Sequence, residues 1–354
     1  MSDDGETRGL VVDAMGVPIG IPATGVAAER LARQWSRALT HLPPASTLDL
    51  GELADLDDHA HDYAVTTRVT LAALEATAGR RVNVHAGAVA DPDGRVLAVV
   101  GPSGAGKTTA VLRLARDLGY LSDETVSLDH RLGVHAHAKP LSVVVDRSAP
   151  RSKDSVSPDD LGLVVAPTSA RLHRIVVLHR GDDDTGLVPL PAPRAIATIV
   201  EQTSSLVHLD HPMLRLASAI EQCGGAWALH YREFEDWADQ VVALLDRDPQ
   251  PAAPYTHHPR DRASLVDGGP GTWSRAGWKD AVEYADELVV MVDDQVRVLA
   301  GLGVGLWLSL DRPRTEAELV EESRARWGEH PDAAALVADA LAVLAAQGVV
   351  RGPA

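Results

Sequence analysis

The sequence predicts an α/β domain followed by a small α+β domain of winged-helix-like pattern. Three observations carry that prediction. The apolar run Val96-Leu97-Ala98-Val99-Val100 reads as a buried strand. It feeds the glycine-rich stretch GPSGAGKTT at 101–109, and Val111, Leu112, Leu114, Ala115 and Leu118 then repeat at helical spacing. Much later, Leu288 to Val292 and Val296 to Leu299 flank Asp293-Asp294-Gln295 as a hairpin, with two helical patterns behind it.

In chain order, residues 1–80 predict a mainly helical part of the first domain, with helices over 23–39 and 64–77 separated by Pro43-Pro44. The acidic run Asp55 to Asp62 between them reads as a solvated turn; His59, His61 and Asp62 in it are a weaker metal candidate. Residues 81–246 are the expected core. Val82 to Val89 reads as one strand carrying His85. Asp91-Pro92-Asp93-Gly94 turns the chain, because Pro presets φ and Gly accepts a positive one. Gly119 is the expected end of the helix after the glycine-rich stretch. Residues 147–160, with two prolines, predict a loop; Arg174 to Arg180 predicts a strand. Helices are expected near 193–202, 212–222 and 233–246. Residues 247–271 hold five prolines and no apolar period, and read as a linker in which His257-His258 has no particular role. Residues 272–354 form the second domain, whose Thr315-Glu316-Ala317-Glu318 is a capping box.

The pattern G-x-x-x-x-G-K-T between a strand and a helix is the Walker A phosphate-binding loop. Gly101, Gly104 and Gly106 let the backbone fold so that the N–H groups of Ser103, Gly104, Ala105, Gly106, Lys107, Thr108 and Thr109 converge on one anion at a helix N-terminus. Lys107 reaches the β- and γ-phosphates of ATP or another nucleoside triphosphate, and the Thr108 hydroxyl joins a Mg²⁺ shell. Phosphoryl transfer also needs an acid for Mg²⁺ and one to take the proton of the attacking hydroxyl. Asp123 and Glu124 follow the first helix at the right point to supply both. Leu141 to Asp146 is a competing place for the metal acid, weakened by Ser142 in its apolar run.

Composition narrows the classes. The chain has 354 residues and a net charge of −17, which argues against a general affinity for nucleic acid. In 272–354 alone, eight Lys and Arg stand against fourteen Asp and Glu, so this part does not read as a DNA-binding winged helix. The lone Cys223 excludes an internal disulfide. No apolar run is long enough for a membrane span and MSDDGETRGL lacks signal-peptide features, so a cytoplasmic protein is expected.

The run from Val84 to Val126 resembles the HPr kinase family, which has the phosphoenolpyruvate carboxykinase-like P-loop fold. The shared features are His-Ala at 85–86, a hairpin, GPSGAGKTT, a helix and Gly-Tyr-Leu-Ser-Asp-Glu. The resemblance implies His85 beside the γ-phosphate, Asp123 assisting an attacking serine, Glu124 helping with Mg²⁺, and a homo-oligomer. The chain has Asp-Glu where the family commonly has Asp-Asp, and it lacks the family's loop that grips HPr. It is closer to the HPr-kinase-like proteins found beside peptide-modifying enzymes.

The C-terminal part resembles the PqqD-like domain, or RiPP precursor recognition element. The shared features are the hairpin, Leu-x-Gly-x-Gly-x-x-x-Trp at 299–307, Asp-x-Pro-Arg-Thr-x-x-Glu-Leu at 311–319, and a closing helix ending in Gln-Gly-Val-Val. It implies capture of a leader peptide, as an added strand, on the 288–299 hairpin edge. The joint expectation is an ATP-dependent serine kinase of a peptide or small protein in ribosomal peptide (RiPP) biosynthesis. The alternative is a nucleotide-gated peptide-binding protein without phosphotransfer.

Overall fold

The structure, a computed structural model, describes residues 9–53, 55–144, 153–182, 184–260 and 268–353. It is a mixed α/β protein with several sheets. Contacts divide the described residues into two units. The first draws on 1–189, 202–208 and 226–249; the second draws on 190–201, 209–225 and 250–354. Among the described residues no helix is long and apolar enough to cross a membrane.

The first unit centres on a six-stranded sheet. Its order is Gly186–Leu190, Ala226–Tyr231, Arg171–Arg180, Arg95–Val100, Ala86–Ala90 and Gly119–Ser122. Arg95–Val100, Arg171–Arg180 and Ala226–Tyr231 run parallel. Strands covered on both faces need apolar side chains in both directions, which is why Val96 to Val100 is an unbroken apolar run. Helix Lys107–Leu114 packs Ala110, Val111 and Leu114 into the core of this sheet. A second sheet orders Thr203–Ser204, Val82–Val84, Val126–Leu128 and Val134–His135.

The strand expected over 82–89 is in fact two, one in each sheet, broken at His85. The cause is a change of hydrogen-bond partner. The His85 N–H donates to the Gln202 carbonyl at 2.6 Å, while the next N–H, of Ala86, donates to the Glu124 carbonyl at 3.0 Å. Asp123 to Thr125 form the matching break between Gly119–Ser122 and Val126–Leu128. Two chain segments therefore pass from one sheet to the other side by side.

The N-terminal residues carry a hairpin absent from the sequence reading, Leu10–Ala14 with Val17–Ile21, turning at Met15 and Gly16 with φ of 56° and 73°. Its Val12, Ile19 and Ile21 share a core with Leu31 of helix Gly25–Gln34, Trp35 just after it, and Val65 and Val69 of helix Asp58–Thr77. The acidic run is the start of the second of these helices, not a loop. Asp57 caps it by accepting from the Ala60 N–H at 2.9 Å. Both Asp62 oxygens are taken, by Arg30 at 2.8 and 3.0 Å and by Gln34 at 2.7 Å, which removes Asp62 from any metal set with His59 and His61.

In the second unit, Thr256–Pro259, Asp280–Glu283, Glu287–Val292 and Gln295–Ala300 form an antiparallel sheet in that order. The predicted hairpin is present, with Asp293 at φ 53° in its two-residue turn. Part of the expected linker is therefore a strand. Helices Ala192–Glu201 and Pro212–Gln222, expected within 81–246, group with these C-terminal residues. Helices Leu302–Ser309, Glu316–Trp327 and Ala333–Ala346 close a core around Trp278 and Trp307, and the capping box at Thr315 and Glu318 is formed. Asp146 and residues 147–152 of the expected loop lie outside the described residues; Lys153–Val156 pairs with Leu141–Val144.

Gly87 sets how closely the helix sits on its strand, because an added Cβ would fall 2.3 Å from Val111 Cγ2. Gly87→Ala is expected to cost about 1–3 kcal/mol by overpacking, read as a lowered midpoint in urea unfolding.

Candidate active site

The loop leaving Arg95–Val100 is shaped by its glycines. Gly104 and Gly106 have φ of 84° and 88°, a backbone that L side chains rarely adopt. An added Cβ on Gly106 would sit 2.5 Å from the Tyr231 hydroxyl, which donates to the Ala105 carbonyl. Tyr231, at the end of a parallel strand, thus braces the loop from the side. Gly106 caps helix Lys107–Leu114. Lys107 is buried and folds back on the loop, donating to the carbonyls of Gly101 at 2.7 Å and Pro102 at 3.1 Å. Burial lowers its pKa, and the negative charge of Glu124 works in the other direction. Ser103, Gly104 and Thr109 are exposed and Thr108 is half-buried.

Register places the other predicted residues at the same end of the sheet. Ala86 pairs with Val100, so His85 lies one step beyond it, level with Gly101. Ala88 pairs with Ser122, which brings the Asp123 break to the same end. Burial lowers the His85 pKa most, and Lys107 lowers it further against Glu124 and Asp123; the ring is neutral at pH 7. His85 and Glu124 also line one cleft of about 240 Å³, with Thr67, Thr70, Asn83 and Ser204.

Asp123 is buried and accepts from the Tyr120 hydroxyl at 3.0 Å. Lys139 Nζ lies 3.1 Å from Asp123 Oδ1 and 3.2 Å from Glu124 Oε2. Burial penalises the Lys139 charge, but the two carboxylates outweigh it and hold its pKa above the ordinary lysine value. Burial, helped by the Asp123 charge, pushes the Tyr120 phenol well up, so it stays a donor. The carboxylates differ in access: the Asp123 side chain is 6% exposed and that of Glu124 41%.

In the sequence Lys139-Pro140, preceded by His135 and His137, reads as a basic spot that could face phosphate and equally as a surface turn, and nothing singles out Tyr120 or Tyr231. The one signal was a lysine next to Pro140 in an apolar setting. The Ser122 hydroxyl, which accepts from the N–H groups of Glu124 and Thr125 at 3.2 and 3.0 Å, shapes the turn. Oxygen donors such as those of Thr108, Asp123 and Glu124 are the type a hard cation such as Mg²⁺ takes, and here Lys139 meets Asp123 Oδ1 and Glu124 Oε2. Arg180 is exposed and pairs with Glu233 at 3.1 Å.

His137, two residues before Lys139, is fully buried. The Thr70 hydroxyl gives its proton to the Thr66 carbonyl, so the His137 Nε2–H donates to Thr70 at 3.0 Å and Nδ1 is left bare. Burial, with the nearby Lys139 charge, depresses its pKa to about 3 from 6.5. The unfolded chain therefore takes up this proton first. Stability contributed by the neutral ring is complete above about pH 6.5 and falls as pH drops toward 3. Urea midpoints measured from pH 7.5 to 4.5 should fall, and should fall less steeply in His137→Gln. Equal slopes would contradict the assignment.

Comparison of the chain with protein-family models and with curated proteins finds no match.

Proposed function

We propose that the chain is an ATP-dependent phosphotransferase that acts on a hydroxyl, most simply of serine, in a peptide or small protein. One observation carries the reading: a glycine-shaped loop with a buried lysine, a neutral histidine level with its first glycine, and two carboxylates at the same end of the sheet. The loop N–H groups and Lys107 hold the triphosphate, Lys107 exchanging its two carbonyl acceptors for phosphate oxygens. Thr108 and Glu124 would hold Mg²⁺, which neutralises charge on the phosphates when bound; Asp123 is kept for the acceptor.

The acceptor enters by the cleft lined by His85 and Glu124. Its oxygen bonds to the γ-phosphorus, the bond from that phosphorus to the β–γ bridging oxygen breaks, and ADP leaves. The hydroxyl proton passes to Asp123. Tyr120 and Lys139 both meet Oδ1, so Oδ2 is the oxygen offered to the acceptor. Neutral His85 can donate a hydrogen bond to the moving phosphoryl group without adding a charge that must be desolvated.

Peptide capture falls to the second unit. Gln295–Ala300 is an edge strand of its sheet. In a hairpin with a two-residue turn, the residues flanking the turn exchange both bonds. With Val292 opposite Gln295, residues 295, 297 and 299 bond inward, and 296, 298 and 300 point their backbone groups away from the sheet. That row can take an extended peptide as a fifth strand. The PqqD-like resemblance makes a biosynthetic leader peptide the natural occupant.

A second reading, nucleotide-gated binding without transfer, is favoured by Lys139, whose ammonium group already occupies Asp123 Oδ1 and Glu124 Oε2. Incubation of candidate peptides with γ-labelled ATP and Mg²⁺, read by intact mass, separates the two. Transfer of one phosphate is expected, with Asp123→Asn retaining ATP binding and losing at least 100-fold in rate. Bound ATP with no peptide labelled would favour the second reading. Val298→Pro removes an outward N–H and no ladder bond. It should weaken peptide binding at least tenfold by fluorescence anisotropy with the unfolding midpoint little changed.

A further inference from the structure

Two imidazole side chains converge in the second unit on a buried carboxylate. Asp280, on Asp280–Glu283, is fully buried. Its Oδ2 accepts from the N–H groups of Met213 at 2.8 Å and Leu214 at 3.1 Å, at the start of helix Pro212–Gln222. These bonds fix the carboxylate and present Oδ1. His257 Nε2 lies 2.6 Å from Oδ1 and His211 Nδ1 lies 3.6 Å from it. The two imidazole rings meet edge-on with centroids 5.0 Å apart. All three ligand atoms lie within 4.8 Å of one another, the only such His, Cys, Asp and Glu grouping among the described residues.

Each histidine is held there by the backbone. His257 and His258 are neighbours on Thr256–Pro259 and each meets a different carboxylate of the next strand. His258 Nε2 is 2.8 Å from Glu283 and its ring packs against Trp307, whereas His257 turns to Asp280. His211 sits at φ 48°, ψ 56°, a left-handed conformation uncommon outside glycine, with its Nδ1 3.6 Å from Oδ1. Backbone held in a sparsely populated region points to a function when a site explains it.

We infer that His211, His257 and Asp280 form a binding site for a divalent transition-metal ion of the zinc class. Two neutral imidazoles and one carboxylate are the donors such ions prefer, and Mg²⁺, which takes oxygen, is excluded by the same chemistry. The backbone bonds to Oδ2 are the outer contacts that orient a monodentate carboxylate. Donors on zinc at about 2.0–2.1 Å stand roughly 3.3 Å apart in a tetrahedron. The 2.6 Å hydrogen bond must therefore open on binding: the neutral His257 ring takes the tautomer with its proton on Nδ1, so that the Nε2 lone pair and Asp280 Oδ1 both bond the metal. Three protein donors leave one position for water or for a donor from a bound peptide. The ion joins the 256–259 strand, the 280–283 strand and the start of the 212–222 helix.

The test titrates the full chain, stripped with chelator, with Co²⁺ in excess Mg²⁺. The visible ligand-field bands are the readout, and Zn²⁺ displacement gives the relative affinity. One equivalent of Co²⁺ is expected, unaffected by Mg²⁺. His257→Gln and His211→Asn should each weaken it at least tenfold. Asn accepts the left-handed backbone better than His, so metal-free His211→Asn should unfold no earlier than wild type. Absence of ligand-field bands in the wild type would overturn the site. Bands of equal affinity in both variants would overturn it as well, placing the ion elsewhere among the 15 histidines.

Discussion

The pairing of Ala86–Ala90 with both of its neighbours is the constraint on which the candidate site depends. Val100 opposite Ala86 puts the first loop glycine level with His85, and Ser122 opposite Ala88 delivers Asp123 to the same end. A slip of one residue in either pairing would turn the alternate side chains to the other face and separate these groups. Gly87, tight against Val111, keeps the loop helix on that strand. The site is thus built at one end of the sheet by the glycine loop and two strand breaks.

Charge is the second constraint. Asp123 and Lys139 are both almost fully removed from water. A buried ion pair of this kind contributes little net stability, since desolvation offsets the attraction, although removing one partner is costly. Its value under the proposed chemistry is order: Lys139 and Tyr120 fix one oxygen of Asp123 while the other carboxylate, Glu124, opens to solvent. Neutral His137 beside Lys139 avoids a second positive charge in the same interior. The same logic holds in the second unit, where fully buried Asp280 is satisfied by two backbone N–H groups and imidazole.

What was legible in the sequence was local. The strand–glycine loop–helix unit, the 288–299 hairpin and the Thr315 capping box each declare themselves within about a dozen residues. What was not legible was decided by distant partners. The break at His85 needs Gln202, more than a hundred residues away, and alternation along 82–89 carries no mark of it. The Leu10 to Ile21 hairpin was hidden by Pro18 and Gly20, which interrupt its pattern. Lys139 reads equally as a surface lysine because its carboxylates come from the break at Asp123 to Thr125. The strand over Thr256–Pro259 lies in a proline-rich stretch, and only pairing with Asp280–Glu283 identifies it.

The central claim is that residues 101–109 bind the phosphate chain of a nucleotide through the loop amides and Lys107. Calorimetric titration of ATP–Mg²⁺ and of AMP into wild type and Lys107→Ala tests it most directly. ATP should bind the wild type far more tightly than AMP, and Lys107→Ala should lose that preference while unfolding at a similar midpoint. Equal affinity of the wild type for ATP and AMP, or an undiminished ATP affinity in Lys107→Ala, would contradict the account.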